Sequence, residues 1–369
     1  MKALGIILAG GSNERLGKLT SARTVAAMPV GSQYRAVDFS LSSMTNSGIR
    51  KVAVMTQYNS SSLHNHVSSA KWWDLGRKKG GLFIFSPYLS EENSPWFRGT
   101  ADAMYQNLKF FMKSNEEYVV IASGETLYKM NFEDVLDQHI ARNSDITIVY
   151  KDMQDKDVRK LGVMELDDEE NLVNFEEKPL ETNLTTVSLG MYIIKRELLI
   201  DLLKEIQKEG RYDFVRDVII RYRKTLKIRG FKFDGYWSSL NSVEAYYNAN
   251  MDFLRKDIRD FFTKEYPFIS TKPRDEPPAK YNMHAQVKNT LVADGAILNG
   301  YVENSILFTD VYVGENTSIK NSIIMHKTHI GNNCVIEHAI LDKDTKVHDG
   351  QRIVGTPEEP IIVAKGTTL

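Results

Sequence analysis

Three short motifs in the last quarter of the chain repeat at one fixed interval, and that interval limits what this part can become. Glu303-Asn304-Ser305-Ile306-Leu307, Lys320-Asn321-Ser322-Ile323-Ile324 and Glu337-His338-Ala339-Ile340-Leu341 each begin 17 residues after the one before. The same step links Val313, Ile330 and Val347, and again Ile319, Ile336 and Ile353. Within a step, Val313 to Ile319 and Ile330 to Ile336 are six apart. A single coil cannot bury such residues alone, so each copy must stack on the next. Two interlocked periods of this kind predict a parallel β-helix of hexapeptide repeats over residues 285–369, with three short strands per coil. The repeat leaves the hand of the coil open.

Residues 1 to about 255 follow another rhythm. Apolar runs at Leu4–Ala9, Lys51–Thr56, Tyr118–Ala122 and Ile146–Tyr150 alternate with amphipathic stretches such as Ala101–Lys113 and Phe132–Arg142. This alternation predicts an α/β domain with a mainly parallel, Rossmann-like sheet and helices on both faces. Ligands of such sheets sit beyond the carboxyl ends of the strands. Residues 256–284 read as a surface linker, because Pro267, Pro273, Pro277 and Pro278 interrupt any long element. The expected division is therefore 1–255, a linker 256–284, and 285–369.

A chain of 369 residues accommodates two domains. Its 47 basic and 48 acidic side chains leave a net charge of −1, so no overall field draws it to nucleic acid or to an anionic membrane. The single cysteine, Cys334, excludes an intramolecular disulfide and points to the cytoplasm. A small buried apolar role is expected for it. The opening run Ala3–Ala9 after Lys2 could pass for a short signal peptide, but charged Asn13-Glu14-Arg15 follows with no small-residue cleavage site. A buried strand entering a glycine turn fits better. With no run of 18 apolar residues, a membrane span is not expected.

The glycine turn reads Gly10-Gly11-Ser12-Asn13-Glu14-Arg15-Leu16. Glycines at a strand end let backbone N–H groups approach phosphates, and an arginine can neutralise them. The spacing is not G-x-G-x-x-G, so a dinucleotide site gains no support. The chain continues LTSARTVAAMPVGSQYRAVDFSLSSMTNSGI (Leu19–Ile49), VMTQY (Val54–Tyr58), WFRGTADAMYQN (Trp96–Asn107), GETLYK (Gly124–Lys129), EEKP (Glu176–Pro179), SLGMY (Ser188–Tyr192) and GYWSSLNSVEAY (Gly235–Tyr246). In this order, and followed by a β-helix, the motifs resemble the bacterial ADP-glucose pyrophosphorylases, or glucose-1-phosphate adenylyltransferases, of glycogen biosynthesis. The resemblance covers essentially the whole chain. It implies a sugar-1-phosphate nucleotidyltransferase domain. In the family reaction the phosphate of glucose 1-phosphate attacks the α-phosphorus of ATP, giving ADP-glucose and diphosphate, with magnesium held on carboxylates.

Carried over position by position, the resemblance gives an intact sugar side. Lys178 matches the lysine that holds the sugar phosphate, Glu177 a sugar-hydroxyl ligand, and Ser188 and Trp237 the glucose pocket. Tyr128-Lys129 is kept after the metal position. On the nucleotide side, Gly10, Gly11 and Arg15 match the phosphate turn, and Gly99, Thr100, Ala101, Asp102 and Gln106 match the stretch bordering the base. The phosphate-and-metal centre departs from the family pattern. Asn13 stands where catalytic members have a third glycine, and Val25 where R-A-K-P has its lysine. Glu125 replaces the aspartate of G-D, and Trp237-Ser238-Ser239-Leu240-Asn241 replaces W-R-D-V-G, so Ser239 takes the place of the second metal carboxylate. Of the metal ligands, Glu125 alone is left, one methylene out of place.

Four departures at one centre, with Lys178 kept, resemble the GlgD-type subunit, the non-catalytic companion of a catalytic adenylyltransferase. The resemblance implies a catalytically impaired regulatory subunit in a hetero- or homo-tetramer, binding a sugar phosphate or adenine nucleotide and activating a catalytic partner. Magnesium is expected only with residual activity. Two alternatives stay open: an active adenylyltransferase with atypical metal ligands, and a homo-oligomeric sugar-phosphate sensor. His326, His329, His338 and His348 could suggest a hexapeptide acyltransferase, which would leave the first domain without a role. Trp72-Trp73 is expected to pack, and Met28, Met44 and Met55 to be core. Arg77-Lys78-Lys79 is expected to be a solvated turn within reach of an anionic effector.

Overall fold

The computed structural model describes residues 2–11, 14–76, 80–88, 95–153 and 157–369. Asn13 and the turn Arg77-Lys78-Lys79 lie outside the described residues.

The first domain is built on a nine-stranded sheet. Its centre is the strand Ala3–Leu8, flanked in parallel by Lys51–Met55 and Tyr118–Ser123, with Gly81–Phe85 parallel at the edge. Beyond Tyr118–Ser123 the sheet changes direction. Thr186–Lys195 runs antiparallel to that strand, to Ile146–Asp152 and to Gly162–Leu166, and Leu172–Glu177 folds back on Gly162–Leu166. The sheet is therefore mixed, where strand–helix alternation alone suggested a mainly parallel one. The reason is connection length. Parallel neighbours need a crossover of a dozen or more residues, whereas the short link Asp167–Asn171 permits only a hairpin. All four expected strands form. The expected helix Ala101–Lys113 forms as two, Thr100–Gln106 and Leu108–Met112. The break comes at Asn107, whose side-chain amide donates to the Ala103 carbonyl at 2.8 Å and so competes with the helical ladder.

Residues 280–363 wind into three five-stranded parallel sheets, the β-helix expected from the repeat. Val313, Ile330 and Val347 lie side by side in one sheet, and Ile319, Ile336 and Ile353 in another. All six are buried, as is Cys334. The corners explain the polar half of the repeat. Asn304, Asn321 and His338 all hold φ of 46°, and Asp310, Lys327 and Asp344 hold 59–60°. This left-handed backbone is strained for most side chains, and Asn and Asp tolerate it best because they hydrogen-bond locally. The 17-residue step is not kept at the ends: Gln286 faces Tyr301, and Ile340 faces Ile362.

Residues 256–284 do more than link. The helix Lys256–Thr263 buries Ile258 and Phe262, Ile269 is buried after it, and Lys280–Tyr281 already pairs with Ile297–Leu298. Phe262 joins a core shared by both domains: Leu16, Val25, Met28 and Phe39 from the first, Phe308 and Met325 from the β-helix. Inside the joint, the Arg23 guanidinium meets the Asp342 carboxylate at 2.8 Å, with side chains only 2% and 1% exposed. Trp73 is buried and its indole N–H donates to the Ser270 carbonyl, while Trp72 packs beside it under Lys71. No helix among the described residues is long and apolar enough to cross a membrane.

Removing one member of a buried ion pair leaves the other uncompensated, so Asp342→Ala should lower stability by about 3–5 kcal/mol. The double variant Arg23→Met, Asp342→Leu should recover most of that loss. Urea unfolding of the three chains checks both statements; equal losses in single and double variants would count against the pair as the cause.

Candidate functional site

The first strand delivers Gly10 and Gly11 to the carboxyl edge of the sheet, and the strand Tyr118–Ser123 delivers Gly124 and Glu125 beside them. Gly124 makes the approach possible. A Cβ there would stand 3.0 Å from Ile7 Cγ2 and 3.3 Å from the Ala9 Cβ, and its N–H donates to the Leu8 carbonyl at 2.9 Å. Glu125 is held by both backbone groups: its N–H donates to Ser123 Oγ at 3.1 Å, and its carbonyl accepts from Leu240 N–H at 3.1 Å. Its side chain reaches the glycine turn: a Cβ on Gly11 would lie 3.0 Å from Glu125 Oε1. Burial pushes that carboxyl up to about 7, against the opposing pull of the Lys178 charge and of the Gly11 N–H.

Ser239 stands next to Glu125. The strand Trp237–Ser239 pairs antiparallel with Thr126–Tyr128, setting Ser239 opposite Thr126. The two metal positions implied by the resemblance thus come together, offering one carboxylate and one hydroxyl. No group of three or more His, Cys, Asp or Glu side chains that could hold a metal is present among the described residues. Val25 is elsewhere. It is fully buried in the shared core, in the short turn Val25–Ala27.

The sugar-side residues come from three strands. Glu177 ends the strand Leu172–Glu177 opposite Gly162; a Cβ on Gly162 would lie 2.9 Å from Glu177 Oε2. The chain then turns sharply, and Lys178 adopts φ of 51°. The Lys178 ammonium is 3.3 Å from Glu177 Oε1 and half-exposed, so it stays available to an anion. Ser188 is buried just before the irregularity at Gly190, where φ is 71°. Trp237 is buried, and its indole N–H has no partner among the described residues. Lys129 points away from this group: its ammonium donates to the Phe261 carbonyl and, at 2.9 Å, to the Glu265 carbonyl.

The base-side residues open the helix Thr100–Gln106. Gly99 is required by contact, since a Cβ would meet the Tyr212 carbonyl at 2.3 Å. Ala101 and Asp102 N–H donate to that same carbonyl, and Thr100 Oγ1 accepts from Phe214 N–H. The fully buried Asp102 spends its carboxylate on Arg98 and on the Gln106 amide at 2.8 Å. Asp102 and Gln106 therefore shape this wall through Arg98. Gln57 ties the wall to the glycine turn: its Oε1 accepts from Phe97 N–H, and its backbone lies against Gly10. Arg15 is exposed in the turn Glu14–Thr20 that follows.

A second group, not singled out from the sequence, lies at the domain joint. Arg23, Arg35, Arg274, Lys343 and His326 converge there. Arg274 donates to Thr309 Oγ1 at 3.1 Å and lies 3.2 Å from His326 Nε2, while His326 Nδ1 is 2.8 Å from Thr309 Oγ1. Burial and the charges of Arg35, Arg23 and Arg274 push the Lys343 ammonium down to about 6. Burial and neighbouring cations also lower Arg35 to about 10 and depress His326. Cations crowded this way favour an added anion. The only signal in the sequence is the spacing Thr309, His326, Lys343, which repeats the 17-residue step. The histidines are not arranged as a catalytic set: His326 is buried here, and His329 stacks on Tyr312 at 4.5 Å.

A family model described as nucleotidyl transferase matches residues 4–256, and one described as GlmU-like, C-terminal hexapeptide matches residues 277–360. Among curated proteins, the chain is 37% identical over 322 residues to a glucose-1-phosphate adenylyltransferase of Pseudothermotoga lettingae, covering 86% of this chain and 76% of that protein. It is 38% identical over 321 residues to one of Clostridium botulinum strain Alaska E43 (86% and 83% covered). It is 35% identical over 322 residues to one of Geobacillus stearothermophilus, with the same coverage of 86% and 83%.

Glu125 gives a pH test of the centre. Its carboxyl titrates at about 7 folded, against an ordinary 4.5. Between those values the folded chain keeps a proton that the unfolded chain has released. Stability contributed by that proton is complete at low pH and is lost as pH rises, at no more than about 1.4 kcal/mol per pH unit. Glu125→Gln removes the titration. Urea midpoints measured from pH 4.5 to 7 should fall for the native chain relative to the variant. A constant gap across that range would contradict the buried carboxyl.

Proposed function

We propose that this chain, which belongs to the glucose-1-phosphate adenylyltransferase family, is a regulatory subunit for ADP-glucose formation in glycogen synthesis whose own catalysis is lost or very weak. The observation that carries this reading is the ladder that sets Ser239 beside Glu125. Magnesium takes near-octahedral oxygen geometry at short distance and rests on one or two protein carboxylates. The residues here do not fit it well. Ser239 supplies a neutral hydroxyl, and the single carboxyl is half-protonated near neutrality. Without a metal on the phosphates, nucleotidyl transfer loses its main source of charge neutralisation.

What remains suits binding and regulation. Lys178, Glu177, Ser188 and Trp237 keep the residue types of a sugar-phosphate pocket, so a sugar phosphate is the favoured ligand and an adenine nucleotide the weaker one. The cations at the joint would receive an anionic effector between the two domains, where binding would bear on both at once. The partner in this reading is a catalytic adenylyltransferase subunit, joined in a tetramer. An active enzyme with atypical metal ligands is the reading that measurable turnover would favour.

Two measurements test the proposal. Calorimetry should show glucose 1-phosphate binding better than magnesium–ATP, and Lys178→Ala should weaken glucose 1-phosphate by about tenfold or more, as expected for a charged hydrogen-bond donor. ADP-glucose synthesis by the chain alone should be at least about a hundredfold below the usual enzyme rate of roughly ten per second. The pair Ser239→Asp, Glu125→Asp should raise it, whereas either change alone should do little, since groups acting together do not contribute additively. Val25→Lys is no repair, because it would bury a charge in the shared core. Turnover near the usual rate by the unmodified chain would overturn the regulatory reading.

A further inference from the structure

The helix Val243–Met251 and the turn after it lie against one corner of the β-helix, and a groove of about 370 Å³ runs between them. Its β-helix wall is a column of corner residues, Asn289, Asn304, Asn321 and His338, one from each successive coil. All four hold left-handed backbone, with φ of 44° to 46°. Strands stacked in parallel stand about 4.8 Å apart, so the column presents side chains at that interval over about 14 Å. It is bonded at both ends and open in the middle. The Asn289 amide donates to Asn304 Oδ1 at 2.7 Å, and Asn321 Nδ2 lies 3.3 Å from His338 Nε2. No hydrogen bond joins Asn304 to Asn321 among the described residues. The Asn304 amide N–H groups and Asn321 Oδ1 are thus left as a donor and an acceptor on adjacent rungs.

The other wall is apolar and firmly attached. Met251 and Leu254 lie half-buried against the shared core, and the Tyr247 hydroxyl donates to the Asn321 carbonyl at 2.6 Å. Arg255 is the only Lys, Arg, Asp or Glu lining the groove among the described residues. It is already paired, with Asp257 at 2.8 Å and Asp252 at 4.0 Å. The groove therefore offers no free charge to a phosphate. Neither Lys178, Ser188 nor Trp237 lines it. An apolar strip facing evenly spaced neutral amides suits a neutral chain of hydroxyl-bearing rings, with C–H faces on Met251 and Leu254.

We infer that this groove is a carbohydrate site, separate from the sugar-phosphate pocket, that takes a segment of linear α-1,4-glucan. A sugar hydroxyl both donates and accepts, so one ring can close the open rung between Asn304 and Asn321. The length of the column matches several linked rings rather than a single sugar. The choice of an α-glucan among neutral carbohydrates rests on the proposed role of the chain in glycogen synthesis. Bound there, the polymer touches both domains beside the core they share.

The test is calorimetry on the full chain, with maltoheptaose as the probe. The native protein should bind it, and saturating glucose 1-phosphate should not displace it. Asn304→Asp keeps the acceptor for Asn289 and tolerates the left-handed backbone, but removes the free donor. Asn321→Gly is equally at ease at positive φ and removes the free acceptor. Each should weaken maltoheptaose by about threefold to tenfold, the loss of one neutral hydrogen bond. If one variant does not fold, the other answers the question. Absence of binding at millimolar maltoheptaose overturns the inference. So does unchanged affinity in both variants at native unfolding midpoints, displacement by glucose 1-phosphate, or equally tight binding of cellohexaose. Loss of association with a catalytic adenylyltransferase subunit in the same variants, without glucan binding, would assign the groove to a protein contact and overturn it too. A failure here leaves the regulatory reading standing, because turnover and glucose 1-phosphate binding decide that reading without any glucan present.

Discussion

The ion pair between Arg23 and Asp342 decides how the two halves of the molecule meet. At 2.8 Å and almost without exposure, it survives only because the core around it is complete on every side. That core draws Leu16, Val25 and Met28 from the segment after the glycine turn, Phe262 from the connecting helix and Phe308 from the β-helix. Burying two charges costs several kcal/mol of hydration each, recovered only when geometry and packing are good. The β-helix therefore acts as one wall of the joint. It also supplies the His326 and Lys343 side chains that crowd the cations there.

The same packing gives Val25 its meaning. Compared with the family pattern it is a missing lysine, and it reads as lost catalytic charge. In the folded chain it is a core residue next to the joint, where an ammonium group would be desolvated. Glu125 is the reverse case. From the motif it is a metal carboxylate displaced by one methylene. In place, it lies beside Gly11, balanced between burial and the Lys178 charge. Both residues fit their surroundings in the folded chain, Val25 as core and Glu125 beside the glycine turn.

Much of the fold was legible in the residues. The 17-residue step fixed the β-helix and named its buried columns, because identical spacing forces identical stacking in a coil. The four strands of the first domain were legible from apolar runs, and the motif series pointed to Glu125, Ser239, Lys178 and Trp237 as candidates for one centre. Other features were not. Thr186–Lys195 turns the sheet antiparallel, and its apolar pattern is the same as that of a parallel strand. The break at Asn107 depends on one side-chain amide. The linker 256–284 hid a helix ahead of its prolines, since Phe262 has its effect only once there is a joint to fill.

The amino-acid sequence by itself determined the repeat architecture, the α/β class of the first domain and where its residues depart from the family motifs. Each of these is a periodic or local property, set by spacing along the chain and by the side chain at one position. Only the tertiary structure decided that Arg23, Arg35, Arg274 and Lys343 share one joint, that Val25 belongs to the core, and that the Glu125 carboxyl lies beside Gly11. Those outcomes depend on the distance between segments far apart in the chain. That distance is set by how the shared core closes, and no local pattern encodes it.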